Sequence, residues 1–249
     1  MPVPNKARLR NTLKKLNRVA ISQNPDPRVT AQEALDYLSM MAGIKPVMLL
    51  GRGYNEPTWI RGVLQIAADQ KFEVIEGCFW DASTDAGTGA DLPDWYKEHT
   101  RQAFVEHRAW YICRARTTAQ EVAAICESTS PTISQEARLL NYPECCVQSH
   151  YERAADYQRV WLSLLRRKSG GNDEKAITML QNGDILEPES EEERNRLEAA
   201  MGAVPVPFTS INACDGCVNG GMSAPANIQS IESRKFAHQI DRGLVKALE

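Results

Sequence analysis

The chain has 249 residues, of which 43% are hydrophobic, and a net charge of −3. This is enough to bury a sizeable core, as one large domain or as a domain with a small appendage, and the charge gives no general argument for nucleic acid binding. We find no run of 18 apolar residues and no signal peptide, which argues against a membrane protein and predicts a cytoplasmic one.

The first predicted element is a basic amphipathic helix over residues 5–20. Leu9, Leu13 and Leu16 recur at helical spacing on its apolar side. The first 22 residues contain six basic side chains and no acid, which leaves a net charge of −9 for the rest of the chain. The basic residues are Lys6, Arg8, Arg10, Lys14, Lys15 and Arg18. This positive face fits either a solvated surface that can bind an acidic partner or a contact with RNA or another polyanion.

Strands and helices then alternate along residues 46–128. A capping box at Thr30–Glu33 starts a second helix. Short apolar runs predict strands at residues 46–50, 72–76 and 109–115. This alternation predicts an α/β fold with a small, largely parallel sheet and flanking helices. We expect a helical N-terminal region over residues 1–45 and an α/β domain over residues 46–249 with a helical C-terminal extension, or one single domain.

Three segments outside the predicted helices and strands are rich in glycine or in acidic residues. The turn Gly51–Pro57 lacks the third glycine of a dinucleotide fingerprint, and Glu56 stands in its place, which favours a tight turn over nucleotide binding. Residues 81–94 predict a solvated loop, since they lack the glycine and the carboxylate that an EF-hand requires. The acidic run Glu187–Glu193 predicts a solvated helix start, or a contact with the basic N-terminal helix.

Four of the seven cysteines come in two pairs: Cys145 with Cys146, and Cys214 with Cys217. The first pair follows Pro143, and proline is favoured at the first position of a helix, so we predict that a helix begins there. Its free amide groups stabilise thiolates in the first turn. The second pair lies in a glycine-rich segment that predicts a sharp turn. Because neither pair completes a site alone, we predict one four-cysteine metal site.

The spacing of the cysteines bears on the metal. Zinc prefers ligands two to four residues apart, a condition that only the second pair satisfies. Adjacent cysteines reach two irons more easily, so the spacing favours an iron–sulfur cluster of the 4Fe–4S type over zinc. A redox dithiol, the third alternative, needs the CxxC to begin a helix after a strand, which Val218–Gly221 does not favour. Cys78, Cys113 and Cys126 are predicted to be buried as small apolar residues.

At the first pair the chain carries the run Leu140–Cys146, L-N-Y-P-E-C-C. With the late cysteine pair and a terminal helix, this resembles a family of uncharacterised prokaryotic proteins that carry L-G-Y-P-x-C-C-x-x-x-F and a distal cysteine pair. The resemblance covers about residues 108–155 and 205–240, and it implies a shared cysteine site but no particular reaction. Asn141 replaces the usual glycine and tolerates the same left-handed backbone, and His150 replaces the usual phenylalanine.

The predicted catalytic residues are Cys145, His150 and Tyr142. His150 is one helical turn from Cys146 and is either a ligand or proton donor, or a histidine at an aromatic core position. Tyr142 packs against the site or supplies a hydroxyl. One function class is an enzyme whose cluster has three cysteine ligands and a fourth thiol free for sulfur transfer to a small molecule or RNA. The other is a noncatalytic zinc-stabilised binding protein.

Overall fold

The fold is that of a computed structural model, which describes residues 5–23, 27–51, 57–78, 89–105, 108–128, 131–182, 186–202 and 204–249. Its helices are α1 (Lys6–Gln23), α2 (Pro27–Ala42), α3 (Pro57–Asp69), α4 (Asp94–Val105), α5 (Arg116–Ser128), α6 (Ile133–Leu140), α7 (Glu144–Ser169), α8 (Asp173–Asn182), α9 (Glu191–Met201), α10 (Asp215–Asn219), α11 (Pro225–Ile240) and α12 (Arg242–Leu248). The strands are β1 (Val47–Gly51), β2 (Glu73–Cys78), β3 (Arg108–Cys113), β4 (Val204–Pro205) and β5 (Asn212–Ala213). The predicted turn at residues 52–56 and most of the predicted acidic loop, residues 81–88, lie outside the described ranges.

Helix α1 is amphipathic, as its leucine spacing predicts. Leu9, Leu13 and Leu16 are buried in the largest hydrophobic cluster, whereas the six basic side chains are exposed. The Arg10 guanidinium donates a hydrogen bond of 2.7 Å to the carbonyl oxygen of Ile240 at the end of α11. The apolar face therefore fixes α1 to the core and leaves the basic face open. Its expected polyanionic or acidic partner stays a prediction.

The three-stranded sheet is antiparallel, with β3 between β1 and β2. The prediction of a largely parallel sheet is therefore wrong. β1 and β2, which α3 connects, do run parallel to each other, since both are antiparallel to β3. They are not neighbours, because β3 inserts between them and places Tyr111 opposite Leu49 on one side and Ile75 on the other. Apolar periodicity locates a strand but does not specify its neighbour, which is why the alternation of strands and helices was misleading.

Helices cover both faces of this sheet. On one face Met48, Leu50 and Ile112 join the largest cluster, together with residues of α1, α2, α3, α11 and α12. On the other face the alternate residues Val47 and Tyr111 pack against α5 and α6. This follows the two-residue period of a strand. The two ends of the chain thus share one core beside the sheet.

The second half of α7 forms a separate cluster with α4, α8 and α9. Leu164 is fully buried there, with Tyr96 of α4 and Leu197 of α9. The predicted acidic run leads into α9, and its Glu193 pairs with Arg167 of α7 and not with α1. Hydrogen bonding to Arg167 lowers the pKa of Glu193 to about 2. Throughout the described ranges, no helix is both long and apolar enough to cross a membrane.

Candidate metal centre

Four cysteine thiols converge at one point of the fold. The Sγ atom of Cys146 lies 3.8 Å from that of Cys214 and 3.6 Å from that of Cys217. The Sγ atom of Cys145 lies 3.7 Å from that of Cys217 and 4.0 Å from that of Cys146. All four sulfur atoms lie within 4.8 Å of one another. The structure thus brings the two predicted pairs into one group that can bind a metal ion.

The junction between α6 and α7 positions the first pair. Helix α6 ends at Asn141, whose backbone is left-handed with a φ of 55°. The amide of Tyr142 donates a hydrogen bond of 2.7 Å to the carbonyl oxygen of Ala137, which closes the helix end. Pro143 is extended, and its carbonyl oxygen accepts a hydrogen bond of 2.9 Å from the amide of Cys146. Two tightly specified helix ends therefore place both thiols in the first turn of α7.

The second pair begins a helix. Cys214 follows β5 directly and precedes the five residues of α10, and its carbonyl oxygen accepts a hydrogen bond of 2.9 Å from the amide of Cys217. The sequence argument against a redox dithiol assumed that the CxxC does not begin a helix after a strand, and the structure corrects that assumption. The two thiols of the CxxC do not stand alone, however, because the sulfurs of Cys145 and Cys146 lie 3.6 to 3.8 Å from them.

Side chains of α11 hold the two cysteine segments together. The side-chain nitrogen Nδ2 of Asn227 donates hydrogen bonds to the carbonyl oxygens of Cys217, at 3.1 Å, and of Gly221, at 2.7 Å. Two residues further along, the side-chain amide of Gln229 donates to the carbonyl oxygen of Asn141, just before the first pair. One helix therefore fixes the backbone on both sides of the site.

The site is buried on three sides and open at one corner. Cys146, Cys217 and Cys214 are 0%, 1% and 9% exposed, whereas Cys145 is an exposed residue. The apolar residues packed with the buried thiols are Val206, Ile211, Ala213, Ala224 and Ala226. The open corner gives solvent and small molecules access to one thiol.

The surroundings of Cys145 and Cys146 favour protonated thiols. Burial, with hydrogen bonds to neighbouring thiols, raises the pKa of Cys145 to about 11, and burial also raises the pKa of Cys146. At Cys214 burial acts in the same direction, but the backbone amide of Cys217 and the neighbouring thiols outweigh it and lower the pKa. A metal ion that binds here must therefore displace protons.

The spacing of the sulfur atoms matches a single tetrahedral ion. Zinc–sulfur bonds of about 2.3 Å place the corners of a tetrahedron about 3.8 Å apart. Four of the six sulfur–sulfur distances are 3.6 to 4.0 Å, and all six are within 4.8 Å. In a 4Fe–4S cluster each thiolate binds a different iron, so the thiolates stand further apart. The adjacent thiols of Cys145 and Cys146, 4.0 Å apart, are close enough to bind one ion, and the preference for a cluster over zinc stays a prediction.

The other two predicted site residues lie beside the thiols. Tyr142 is half-buried and packs against the cluster that contains Cys146. His150 is exposed on α7, where its ring meets that of Tyr151 edge-on with the centroids 5.1 Å apart. It does not belong to the group of four side chains that could hold a metal ion. Of the residues predicted for the site, the structure thus brings together the four cysteines and Tyr142.

The remaining cysteines lie apart from the site. Cys113 is fully buried in β3, and burial raises its pKa to about 12, so it remains a protonated, apolar residue. Cys126 on α5 is half-buried. The side chain of Cys78 lies outside what the structure describes.

Sequence reasoning missed a buried ion pair next to the site. The ammonium of Lys45 lies 2.8 Å from a carboxylate oxygen of Asp36 and 4.8 Å from the centre of the Tyr142 ring. Charged residues of this kind are common on surfaces, and nothing in their spacing predicts burial. The position of Lys45 two residues before an apolar strand is the one weak signal.

Comparison with known proteins adds nothing to this geometry. We found no protein family, no curated protein and no solved structure that matches the chain. The family resemblance at the first cysteine pair therefore stays a prediction. The function has to be inferred from the site itself.

Proposed function

We propose that this chain is a metal-binding protein in which Cys145, Cys146, Cys214 and Cys217 bind one tetrahedral ion, with zinc as the resident metal. The observation that carries the proposal is the convergence of four sulfurs, with four of their six distances between 3.6 and 4.0 Å and all within 4.8 Å. Tetrahedral coordination by four sulfurs is typical of zinc or iron. Zinc is favoured over an iron–sulfur cluster because four thiolates can bind a single zinc ion directly, whereas a cluster also needs inorganic sulfide to bridge its irons.

The bound ion would act as a cross-link in the fold. It would join the start of α7, which is packed on the sheet through α6, to the short segment that precedes α11. That segment has only a two-residue strand and a five-residue helix, so the ion would add to the hydrogen bonds by which α11 holds it. A metal that binds only the folded site stabilises the folded state. This role corresponds to a noncatalytic metal protein.

The exposed corner supports a second candidate function. Cys145 is exposed while the other three cysteines are buried, so a reagent can reach one thiol without opening the site. An enzyme that uses this thiol for sulfur transfer, with three cysteines left as ligands, requires that access. In this version Cys145 is dispensable for metal binding but required for chemistry. An iron–sulfur cluster belongs to the same candidate, and it would need the thiolates to move apart.

Metal analysis of protein purified without oxygen tests the proposal. We expect one zinc per chain, and we expect the Cys126→Ala variant, which alters a half-buried thiol outside the site, to retain it. Cys146→Ala and Cys217→Ala should lose most of the zinc. A brown protein with about four irons per chain would instead support the cluster. Full metal content in Cys145→Ala, together with loss of a thiol-dependent reaction, would support the second candidate.

A further inference from the structure

We infer that Asp36 and Lys45 are positioning residues of the four-cysteine site, which they assemble by holding its two cysteine segments in register. The inference rests on the proposed function, because it concerns the binding of a metal by those cysteines. It makes the N-terminal helical region, which contains no cysteine, a necessary part of the site.

Asp36 contacts both Lys45 and the segment before the second cysteine pair. One of its carboxylate oxygens accepts a hydrogen bond of 2.8 Å from the ammonium of Lys45. The other accepts a hydrogen bond from the hydroxyl of Ser210. Ser210 lies four residues before Cys214, so the carboxylate of α2 reaches the segment that leads to the second cysteine pair.

Lys45 makes the matching contact to the first segment. Its ammonium lies 4.8 Å from the centre of the Tyr142 ring, within the range of a cation–π interaction. Tyr142 lies three residues before Cys145 and packs against the hydrophobic cluster that contains Cys146. The ion pair therefore contacts one residue from each cysteine segment, on the approach to the thiols in both cases.

The burial of the ion pair between Asp36 and Lys45 favours a positioning role over a contribution to the stability of the fold. The side chains of Lys45 and Asp36 are only 7% and 13% exposed. Burial acts to lower the pKa of Lys45, but the Asp36 carboxylate and Tyr142 outweigh it and hold the pKa above its ordinary value. A buried ion pair adds little net stability, since desolvation offsets the attraction, but its geometry is specific. The two charges are therefore better explained by the orientation of the cysteine segments that they contact than by a gain in the free energy of unfolding.

A third observation connects the same segments. A small cleft beside the pair is lined by Asp36 and Lys45, by Asn141 and Tyr142 of the first segment, and by Thr209 of the second. The two cysteine segments therefore meet on the ion pair and not only at the thiols. Without the pair, α11 would still connect the two segments, but the residues that lead to the thiols would lose their shared contact, and the thiols would be held less closely at tetrahedral spacing.

The test is a cobalt titration of four proteins, with the absorption of tetrahedral cobalt thiolate as the readout and zinc competition for the affinity. The first variant is Asp36→Asn with Lys45→Met, which removes both charges and avoids leaving one of them buried without a partner. The second is Ser210→Ala, which leaves the pair intact and removes its link to the second segment, together with the hydrogen bond between Ser210 and Tyr142. The matched control is Glu76→Gln, which breaks an exposed ion pair with Arg108 on the sheet.

We expect the double variant to bind metal about 10- to 100-fold more weakly, as is typical when residues that orient metal ligands are changed, and to give an altered cobalt spectrum. Ser210→Ala should weaken binding by about fivefold. Glu76→Gln should bind as the unmodified protein does, and thermal unfolding of the metal-free proteins should be alike. If the double variant is too unstable to titrate, the Ser210→Ala result decides. The inference alone is overturned if the double variant binds cobalt with unchanged affinity and spectrum, or if Ser210→Ala does so where its result decides. If the unmodified protein binds no cobalt, the proposed function and the inference are both overturned.

Discussion

Replacing Cys217 by alanine should reduce metal affinity by about two orders of magnitude. The Cys217 thiol is 1% exposed and lies 3.7 and 3.6 Å from the sulfurs of Cys145 and Cys146, so it is a central ligand. Structural zinc sites with four ligands have apparent binding free energies of about 10–16 kcal/mol, which is roughly 3 kcal/mol for each ligand. Losing one ligand therefore weakens binding by about 100-fold.

The same change should be visible in thermal stability. At a free zinc concentration 100 times the Kd of the unmodified protein, the ion stabilises the fold by about 2.7 kcal/mol. For a chain of this length that raises Tm by about 5–10 °C. In Cys217→Ala the same concentration only equals the weakened Kd, so the stabilisation falls to about 0.4 kcal/mol, or about 1 °C.

The assay is competition against a chromophoric chelator, followed by thermal unfolding with and without zinc. Cys126→Ala is the matched control, because it removes a half-buried thiol that is not part of the site. It should retain both the affinity and the zinc-dependent rise in Tm. An affinity of Cys217→Ala within threefold of the unmodified protein would refute the assignment of this thiol as a ligand.

Three further predictions concern protons, the N-terminal helix and the helix end before the first pair. Zinc binding at pH 7.5 should release at least two protons, because Cys145, with a pKa of about 11, and Cys146, whose pKa is also raised, are protonated there. Each pH unit lowers the proton concentration tenfold, so the release of two protons should make affinity rise by roughly 100-fold per unit; calorimetry in buffers of different ionisation enthalpy would contradict this by finding one proton or none. Leu13→Ala should lower the free energy of unfolding in urea by about 2–5 kcal/mol, since Leu13 is 4% exposed, whereas an effect below 1 kcal/mol would mean that α1 is not packed on the core. Asn141→Ala should lower the free energy of unfolding by about 1–2 kcal/mol in the same assay, because the φ of residue 141 is 55° and alanine is strained there. Asn141→Gly should lower it by less, and equal losses would contradict a requirement for a left-handed backbone at this position.

The sequence predicted the elements of this fold better than their arrangement. The leucine spacing of α1 and the capping motif near Thr30 describe local geometry, and both predicted helices are present as α1 and α2. The pairing of the strands depends on contacts between distant residues. β3 is about thirty residues from β2 in the chain, and its own pattern does not show that it separates β1 from β2.

At the site, the cysteines were predictable and their surroundings were not. Paired thiols at helix ends carry a direct chemical signal, and the structure brings the four of them together. The distance between Cys145 and Cys146 depends on side-chain orientation in the first turn of α7, which sequence spacing does not give. Asp36 and Lys45 carry no signal of burial, because charged residues are ordinarily exposed. Their role depends on tertiary contacts with Tyr142 and with the segment before Cys214.

X-ray absorption spectroscopy of protein purified without oxygen tests the central claim most directly, because it counts ligands and detects neighbouring metals in one measurement. We predict one zinc per chain with four sulfur ligands at about 2.3 Å and no metal–metal distance. Iron with a second iron nearby and additional bridging sulfides would contradict a single-ion site. A zinc shell that contains nitrogen in place of one sulfur would contradict the assignment of all four cysteines as ligands and would return attention to His150.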